Sequence, residues 1–358
     1  MAEFEFETYS FYGGPEYGNL TVDYESFQKY EQGQLLFNDL RERALIFMAN
    51  RVKSNAAVGC DPEFFIANSK NLIPSCGVIG GTKGAGVPID PAHPRFKWLE
   101  DNVAVELNLP PYNVPENFRL GMAQASVLVK SALKAKGLHP VIKPHLDFKM
   151  ETLQMYPEAF TFGCEPDFCA YDKNPKEPRQ VEVGNFGLKR FAGGHLHLSY
   201  NNPHEVPDYV VVMLMDALVG LASVATGRDC QGARRAVYGQ AGLFRPKKYA
   251  NGVSGVEYRT PSNFWLQVAM QANEDIASAS YIDQLAHTIL GIGRSIEKSP
   301  EELSNLFIRL PLLDIKEAIN KEDRTTAQEI GKLIHSTGIA YKCDISTGLF
   351  ALKYTTAA

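Results

Sequence analysis

The sequence predicts an α+β fold: a curved, mainly antiparallel sheet with one polar, concave face, and helices packed on the other side. Two observations predict it. Strand-like and helix-like stretches follow one another irregularly along the 358 residues, without the steady alternation of a doubly wound parallel sheet. Five of the strand-like stretches also carry polar or ionisable residues at i and i+2, the spacing that sends two side chains to one face of a strand.

Taken in order, residues 1–23 are rich in aromatics, glycine and acid and have no assignable role. From Tyr24 to about Asn50 apolar residues recur at helical spacing, as in "LLFNDLRERALIFMAN". "AAVGCDPEFFIA" at 56–67 reads as a strand and leads into a glycine-rich loop, "CGVIGGTKGAGVPID". "DNVAVELNLPP" at 101–111 reads as another strand, stopped by two prolines. A helix is expected from Glu116 to Lys136, ended by Gly137. "HPVIKPHL", "FTFGCEPDFCAY" and "GGHLHLSY" read as further strands, and 172–180 as a turn. A helix at 208–226 precedes "RRAVYGQAGLFRPKKY", then "GVEYRTPSNFW" runs from strand into a helix starting near Phe264, after which the chain is mostly helical and polar.

Composition narrows the classes of function. The chain is 45% hydrophobic and 22% charged, with net charge −5 and a pI near 6.0. That balance gives no overall pull toward nucleic acid or an anionic membrane. Six cysteines are scattered without a CxxC pair, and the start of the chain lacks a basic segment followed by an apolar run. Reduced thiols and a cytoplasmic location are the expectation. The longest apolar run, 208–227, carries Asp216 at its centre, which predicts a core helix and no membrane span.

The five polar pairs are Asp61/Glu63, Glu106/Asn108, Glu165/Asp167, His195/His197 and Glu257/Arg259. Apolar residues fill the alternate positions, among them Val105, Leu107, Leu196, Leu198, Val256 and Tyr258. One such pair is commonly a solvated strand face, and a lone HxH is more often structural than ligating. Together the ten positions hold six carboxylates, two histidines and an arginine, whereas an ordinary outer face mixes in Lys, Thr and Ser. Carboxylates gathered on one surface repel one another unless cations neutralise them, and hard oxygen donors with an occasional imidazole suit Mg²⁺ or Mn²⁺. "GCDPEFF" and "GCEPDFC" also echo each other across the chain.

A basic cluster lies between the histidine strand and the last pair: Arg228, Arg234, Arg235, Arg245, Lys247, Lys248, then Arg259. Arginine forks suit phosphate or carboxylate oxygens. "GGTKGAG", with Lys83, suits a backbone cradle for an anion, although it lacks the P-loop spacing. Metals, arginines and a glycine loop together point to a nucleoside triphosphate and phosphoryl transfer.

The ordered set "GCDPEFF", "GGTK", "DNVAVELNLPP", "GCEPDF", "GGHLHLSY" and "GVEYRTPSNFW" resembles the glutamine synthetase / γ-glutamate–cysteine ligase superfamily, and within it the phage-type carboxylate–amine ligases (amidoligases). The resemblance covers roughly 55–270. It divides the chain into an N-terminal segment (1–54) with one helix, a glutamine synthetase-like catalytic domain (55–298) and a mostly helical C-terminal tail (299–358). It implies ATP and two or more Mg²⁺ (or Mn²⁺) ions as cofactors. The implied metal ligands are Asp61, Glu63, Glu106, His195 and Glu257, with Asp61 in place of the more usual Glu and so one arm shorter. His197 is implied to approach the nucleotide and Arg259 the transferred phosphate, joined by Lys83, Arg234, Arg235 and Arg245. Glu165 and Asp167 have no secure counterpart; they are candidates for metal binding, for holding the incoming amine, or for taking its proton.

The activity implied is ATP-dependent amide formation through an acyl phosphate, with small-molecule or peptide carboxylates and amines as substrates. A modified nucleobase is compatible as a substrate, and a homo-oligomer is compatible with the superfamily. Phage encoding would place the protein in the host cytoplasm. Two readings from other classes compete: a metal-dependent amide hydrolase, and a catalytically inactive nucleotide- or ligand-binding protein on the same scaffold.

Overall fold

Strand β1 (Ala57–Ala67) runs through the middle of a ten-stranded antiparallel sheet. The computed structural model describes residues 54–160, 167–179, 187–249, 253–272, 276–298, 300–336, 340–343 and 350–352, and every structural statement concerns these. The helix expected within 24–50, and residues 161–166 of the strand expected around Glu165, lie outside them.

β1 hydrogen-bonds on one side to β5 (Ala104–Asn108), which continues through β4 (Lys97–Asp101) to β3 (Val87–Pro88). On the other side it meets β10 (Gly194–Tyr200), followed by β12 (Ser254–Tyr258), β11 (Leu243–Lys248) and β8 (Phe168–Cys169). Short strands β2 (Leu72–Ile73) and β6 (His139–Val141) pair with the far end of β1. β7 (His145–Asp147) and β9 (Lys189–Phe191) form a separate ribbon. Four of the five strand-like stretches that carry polar pairs are thus neighbours in the order β5-β1-β10-β12. Asp167 stands at the start of β8, two strands beyond.

The alternation read from the sequence explains why these stretches pair. Val58, Phe64, Val105, Leu196, Leu198 and Val256 are buried, and every polar partner among them falls at the intervening positions. Burying such side chains contributes roughly 1.5–3 kcal/mol each before entropy is subtracted. Against the apolar side pack α1 (Pro115–Ala135), which starts with proline at its first position, and α6 (Ile276–Lys298).

The apolar run at 208–225 forms α2 (Asp208–Met215), a π-helical turn (Asp216–Gly220) and α3 (Leu221–Ala225). By length and composition this segment could cross a membrane, but 72% of it is buried inside the fold. Asp216 is fully buried and accepts hydrogen bonds from the Tyr258 hydroxyl (2.5 Å) and Thr260 Oγ1 (3.2 Å). Its charge-bearing group therefore ties the helix to the back of β12. The helices α8 (Leu312–Lys321) and α9 (Arg324–Ser336) pack on the same segment; they follow α7 (Pro300–Arg309).

Candidate active site

The strand register brings the polar residues together. Glu63 stands opposite Glu106, Asp61 opposite His195, His197 opposite Glu257, and Glu257 opposite Arg245. Residues directly opposite in an antiparallel pair project to the same side. Two groups of possible metal donors result. Asp61, His195 and Glu257 form one, Glu63, Asp101 and Glu106 the other, and within each the donor atoms lie within 4.8 Å of one another. Asp61 and Glu63 are two residues apart on β1, so that single strand supplies one carboxylate to each group.

The double glycine before the histidines has a steric reason. A Cβ on Gly193 would stand 2.3 Å from His195 Nε2, and one on Gly194 would stand 2.1 Å from the Ser262 carbonyl oxygen. Gly193 also donates its N–H to Glu63 Oε2 (2.6 Å), while its carbonyl accepts the Glu63 N–H (2.8 Å). Asn263 Nδ2 donates to the Glu63 carbonyl (2.8 Å), and Trp265 Nε1 to that of Gly194 (3.0 Å). "GVEYRTPSNFW" thus pins both acidic and histidine strands from its far end.

In the first group, Asp61 Oδ1 lies 3.4 Å from His195 Nδ1 and 3.1 Å from His197 Nε2, and His195 Nδ1 lies 3.7 Å from Glu257 Oε1. Burial would raise Asp61, but the charge of His197 and the nearness of both histidine rings hold it well below the usual carboxylate range. Burial and the nearby Arg259 push His195 down to about 4, so its ring is neutral and fit to ligate. In the second group, burial followed by the charge of Asp101 pushes Glu63 up to about 7. Burial, then Asp61, Glu63 and Asp101, push Glu106 up to about 9, with Lys83 opposing. These carboxylates shed their protons readily only beside an added cation. An all-carboxylate set next to a set of two carboxylates and one imidazole fits hard divalent ions such as Mg²⁺ or Mn²⁺.

Cations flank Glu257. Lys247 Nζ lies 2.6 Å from its Oε2, Arg245 Nη1 3.4 Å from its Oε1, and Arg259 Nη1 donates to the same oxygen. Asp167 is buried between Arg259 Nε (3.1 Å) and Arg245 Nε (3.2 Å). Asp167 is thus the carboxylate shared by both arginines and fixes their directions. Glu165 lies outside the described residues.

Other expectations need correction. Arg234 and Arg235 are buried, and their terminal guanidinium nitrogens bond within the protein, while the Nε groups have no hydrogen-bond partner among the described residues. Arg234 donates to Gln231 Oε1 and to the carbonyls of Thr260 and Arg259; Arg235 donates to Asp229 Oδ2 (3.1 Å) and the Thr260 carbonyl (3.1 Å). They lock the loop before β11 against the end of β12 and do not offer a fork to phosphate. At the start of the glycine-rich loop, Glu100 accepts the N–H groups of Gly77 (3.0 Å), Ile79 (3.0 Å) and Gly80 (2.7 Å), of which Gly80 alone belongs to "GGTKGAG". Lys83 keeps its place near Glu106. Asn108 is exposed and belongs to neither group of donors.

Asp101 is not among the residues the sequence singles out, because 101–111 reads there as one strand. The strand starts at Ala104, and Asp101 ends the preceding strand across a two-residue turn in which Asn102 has φ 54°. An Asn that begins a tight turn between two apolar-alternating stretches was the available signal.

No protein-family model matches the chain, and no curated protein matches it. Among solved structures the chain is similar to apo GmaS without ligand, at 12% identity and a TM-score of 0.36, over 82% of this chain and 71% of that one. At that level the likeness bears on no residue of the site.

Proposed function

We propose that this chain is an ATP-dependent carboxylate–amine ligase that forms an amide through an acyl phosphate at a two-metal site on the concave face of its sheet. The observation that carries the reading is the pairing of two carboxylate-rich donor groups across β1 with a row of cations, Arg245, Lys247 and Arg259, beside one of them. The ordered motifs that resemble the amidoligases support the same reading. A hydrolase needs the acidic donors but has no use for the cation row, which suits an anionic, phosphate-bearing substrate.

In this reading Asp61, His195 and Glu257 hold one divalent ion, and Glu63, Asp101 and Glu106 the other. Such ions, when bound, neutralise phosphate oxygens and the charge that develops in transfer. Arg259 and Arg245, held by Asp167, present positive charge from the side. His197, beside Asp61, borders the nucleotide. The substrate carboxylate oxygen bonds to the γ-phosphorus as ADP leaves with the bridging oxygen. The amine nitrogen then bonds to the acyl carbon, phosphate departs, and the amine's proton passes to a base, for which Glu165 remains the sequence candidate.

The test is product analysis with ATP, Mg²⁺ and pooled carboxylic acids, with and without pooled amines. ADP and phosphate formed only when acid and amine are both present is the expected result. AMP formation would replace the acyl phosphate by an adenylate. Metal binding without nucleotide turnover would favour the inactive binder, and amide cleavage without nucleotide the hydrolase.

A further inference from the structure

Tyr238 caps the C-terminus of the short helix α4 (Ala233–Val237). The hydroxyl meets His195 Nε2 at 2.5 Å and accepts a hydrogen bond from Arg259 Nη2, also at 2.5 Å. The ring is seated on two guanidiniums, with Arg234 at 4.5 Å and Arg259 at 4.9 Å from its centroid, and it meets the His195 ring edge-on at 5.8 Å. Arg234 is itself fixed by Gln231 and two backbone carbonyls, so the ring rests on a rigid floor.

The two nitrogens of His195 face different partners. Nδ1 looks toward Asp61, Glu257 and, at 3.5 Å, Arg259 Nη1, and Nε2 looks toward Tyr238. An imidazole ligates through the nitrogen that carries a lone pair, and its other nitrogen must then donate its N–H to an acceptor that fixes the tautomer. A phenolic oxygen serves as that acceptor, whereas a phenylalanine at the same place offers none.

We propose that Tyr238 is a positioning residue for the metal centre: its hydroxyl accepts the Nε2–H of His195, which would leave Nδ1 to ligate a divalent ion beside Asp61 and Glu257, and its bond from Arg259 holds that guanidinium beside the imidazole. The proposal rests on the metal-site reading above. Asp61, His195 and Glu257 all stand on neighbouring strands, and the Nε2 side of His195 meets Tyr238, which lies outside the sheet.

The test is Mn²⁺ binding, read by the paramagnetic resonance signal of free ion, for the wild type, His195→Ala, Tyr238→Phe and the double variant. The phenylalanine keeps the ring on its two arginines, and thermal melts check the fold. Expected are weaker binding in His195→Ala, a loss of about 10- to 100-fold in Tyr238→Phe, and no further loss when the two are combined. Unchanged binding in Tyr238→Phe while His195→Ala is weakened overturns the role of Tyr238 and leaves the metal site standing. Binding that ignores His195→Ala also overturns it, and a wild type that binds no Mn²⁺ removes the metal reading and this proposal together. Should Tyr238→Phe fail to fold, nitrogen-15 shifts of the His195 ring in the Mg²⁺-loaded wild type decide: a protonated Nε2 supports the proposal, and a lone pair there overturns it.

Discussion

At the scale of single residues, the two adjacent glycines before His195 do different work, and substitution separates them. A Cβ on Gly193 meets the tip of a side chain, His195 Nε2, while one on Gly194 meets the backbone of Ser262. Gly193→Ala is expected to displace the imidazole, weakening Mn²⁺ binding with little change in melting temperature. Gly194→Ala is expected to destabilise the fold by about 1–3 kcal/mol, the usual cost of overpacking against atoms that cannot move. Melts and metal titrations on both variants check this, and equal loss of stability in the two would refute it. Asp167→Asn makes a similar point about charge. It removes the anion shared by Arg245 and Arg259, and is expected to raise the KM for ATP more than it lowers kcat, because the arginines stay but lose their fixed directions. A base at that position would instead lose kcat and leave KM unchanged, so steady-state kinetics distinguishes the two roles.

Elements explain what could be read ahead of the structure. The i, i+2 pairs on β1, β5, β10 and β12 were legible because a strand has one period and the alternate positions are plainly apolar. Their adjacency was not, since nothing local in "GGHLHLSY" says which strand lies beside it. Arg234, Arg235 and Tyr238 were misread or missed for a related reason: a basic run in a loop does not show whether its donors face solvent or backbone carbonyls. Glu100 was invisible as the partner of the glycine loop because the contact crosses a hairpin. Asp216, in contrast, was rightly taken as the mark of a core helix, and it makes a sharp expectation for the element it serves. Burial pushes its carboxyl up from 3.8 to about 7, although Tyr258 and Thr260 donate to it. A folded-state value above the unfolded one means that the folded protein binds the proton more tightly. The associated stability is therefore full below about 3.8 and is lost as pH rises through about 7. The loss is at most on the order of 4 kcal/mol, taking 1.36 kcal/mol per unit. Asp216→Asn keeps the Oδ1 acceptor without the charge, and is expected to flatten denaturant-derived stability across that pH range. An unchanged slope would mean that Asp216 is ionised in the fold.

For the whole molecule, the sheet gathers acidic groups that are costly to keep together without cations, so the proposed two-metal site would couple stability to metal binding. Glu63 is pushed up to about 7 and Glu106 to about 9, both from an ordinary 4.5, first by burial and then by neighbouring negative charge. Both shifts are upward, so the sign matches that of Asp216: the metal-free protein is stabilised by proton uptake at these groups, and that contribution fades as pH rises through about 7 and then about 9. Divalent ions act in the opposite sense, because they bind the deprotonated carboxylates and must displace the protons first. The rise in melting temperature on adding Mg²⁺ is therefore expected to be small in mild acid and to grow steadily with pH, reaching the equivalent of about 2.7 kcal/mol where the ion is at a hundredfold excess over its Kd. Glu106→Gln imitates the protonated form that prevails near neutrality. It is expected to leave the metal-free melting temperature close to that of the wild type at that pH, yet to remove most of the Mg²⁺ response. Asp101→Asn, in the same donor group, should also remove most of the Mg²⁺ response, whereas a substitution at exposed Asn108 should leave both quantities unchanged. A Mg²⁺ response that is flat with pH, or that survives both Glu106→Gln and Asp101→Asn, would place the ion elsewhere and reduce this half of the site to a buried acidic cluster with a proton in it.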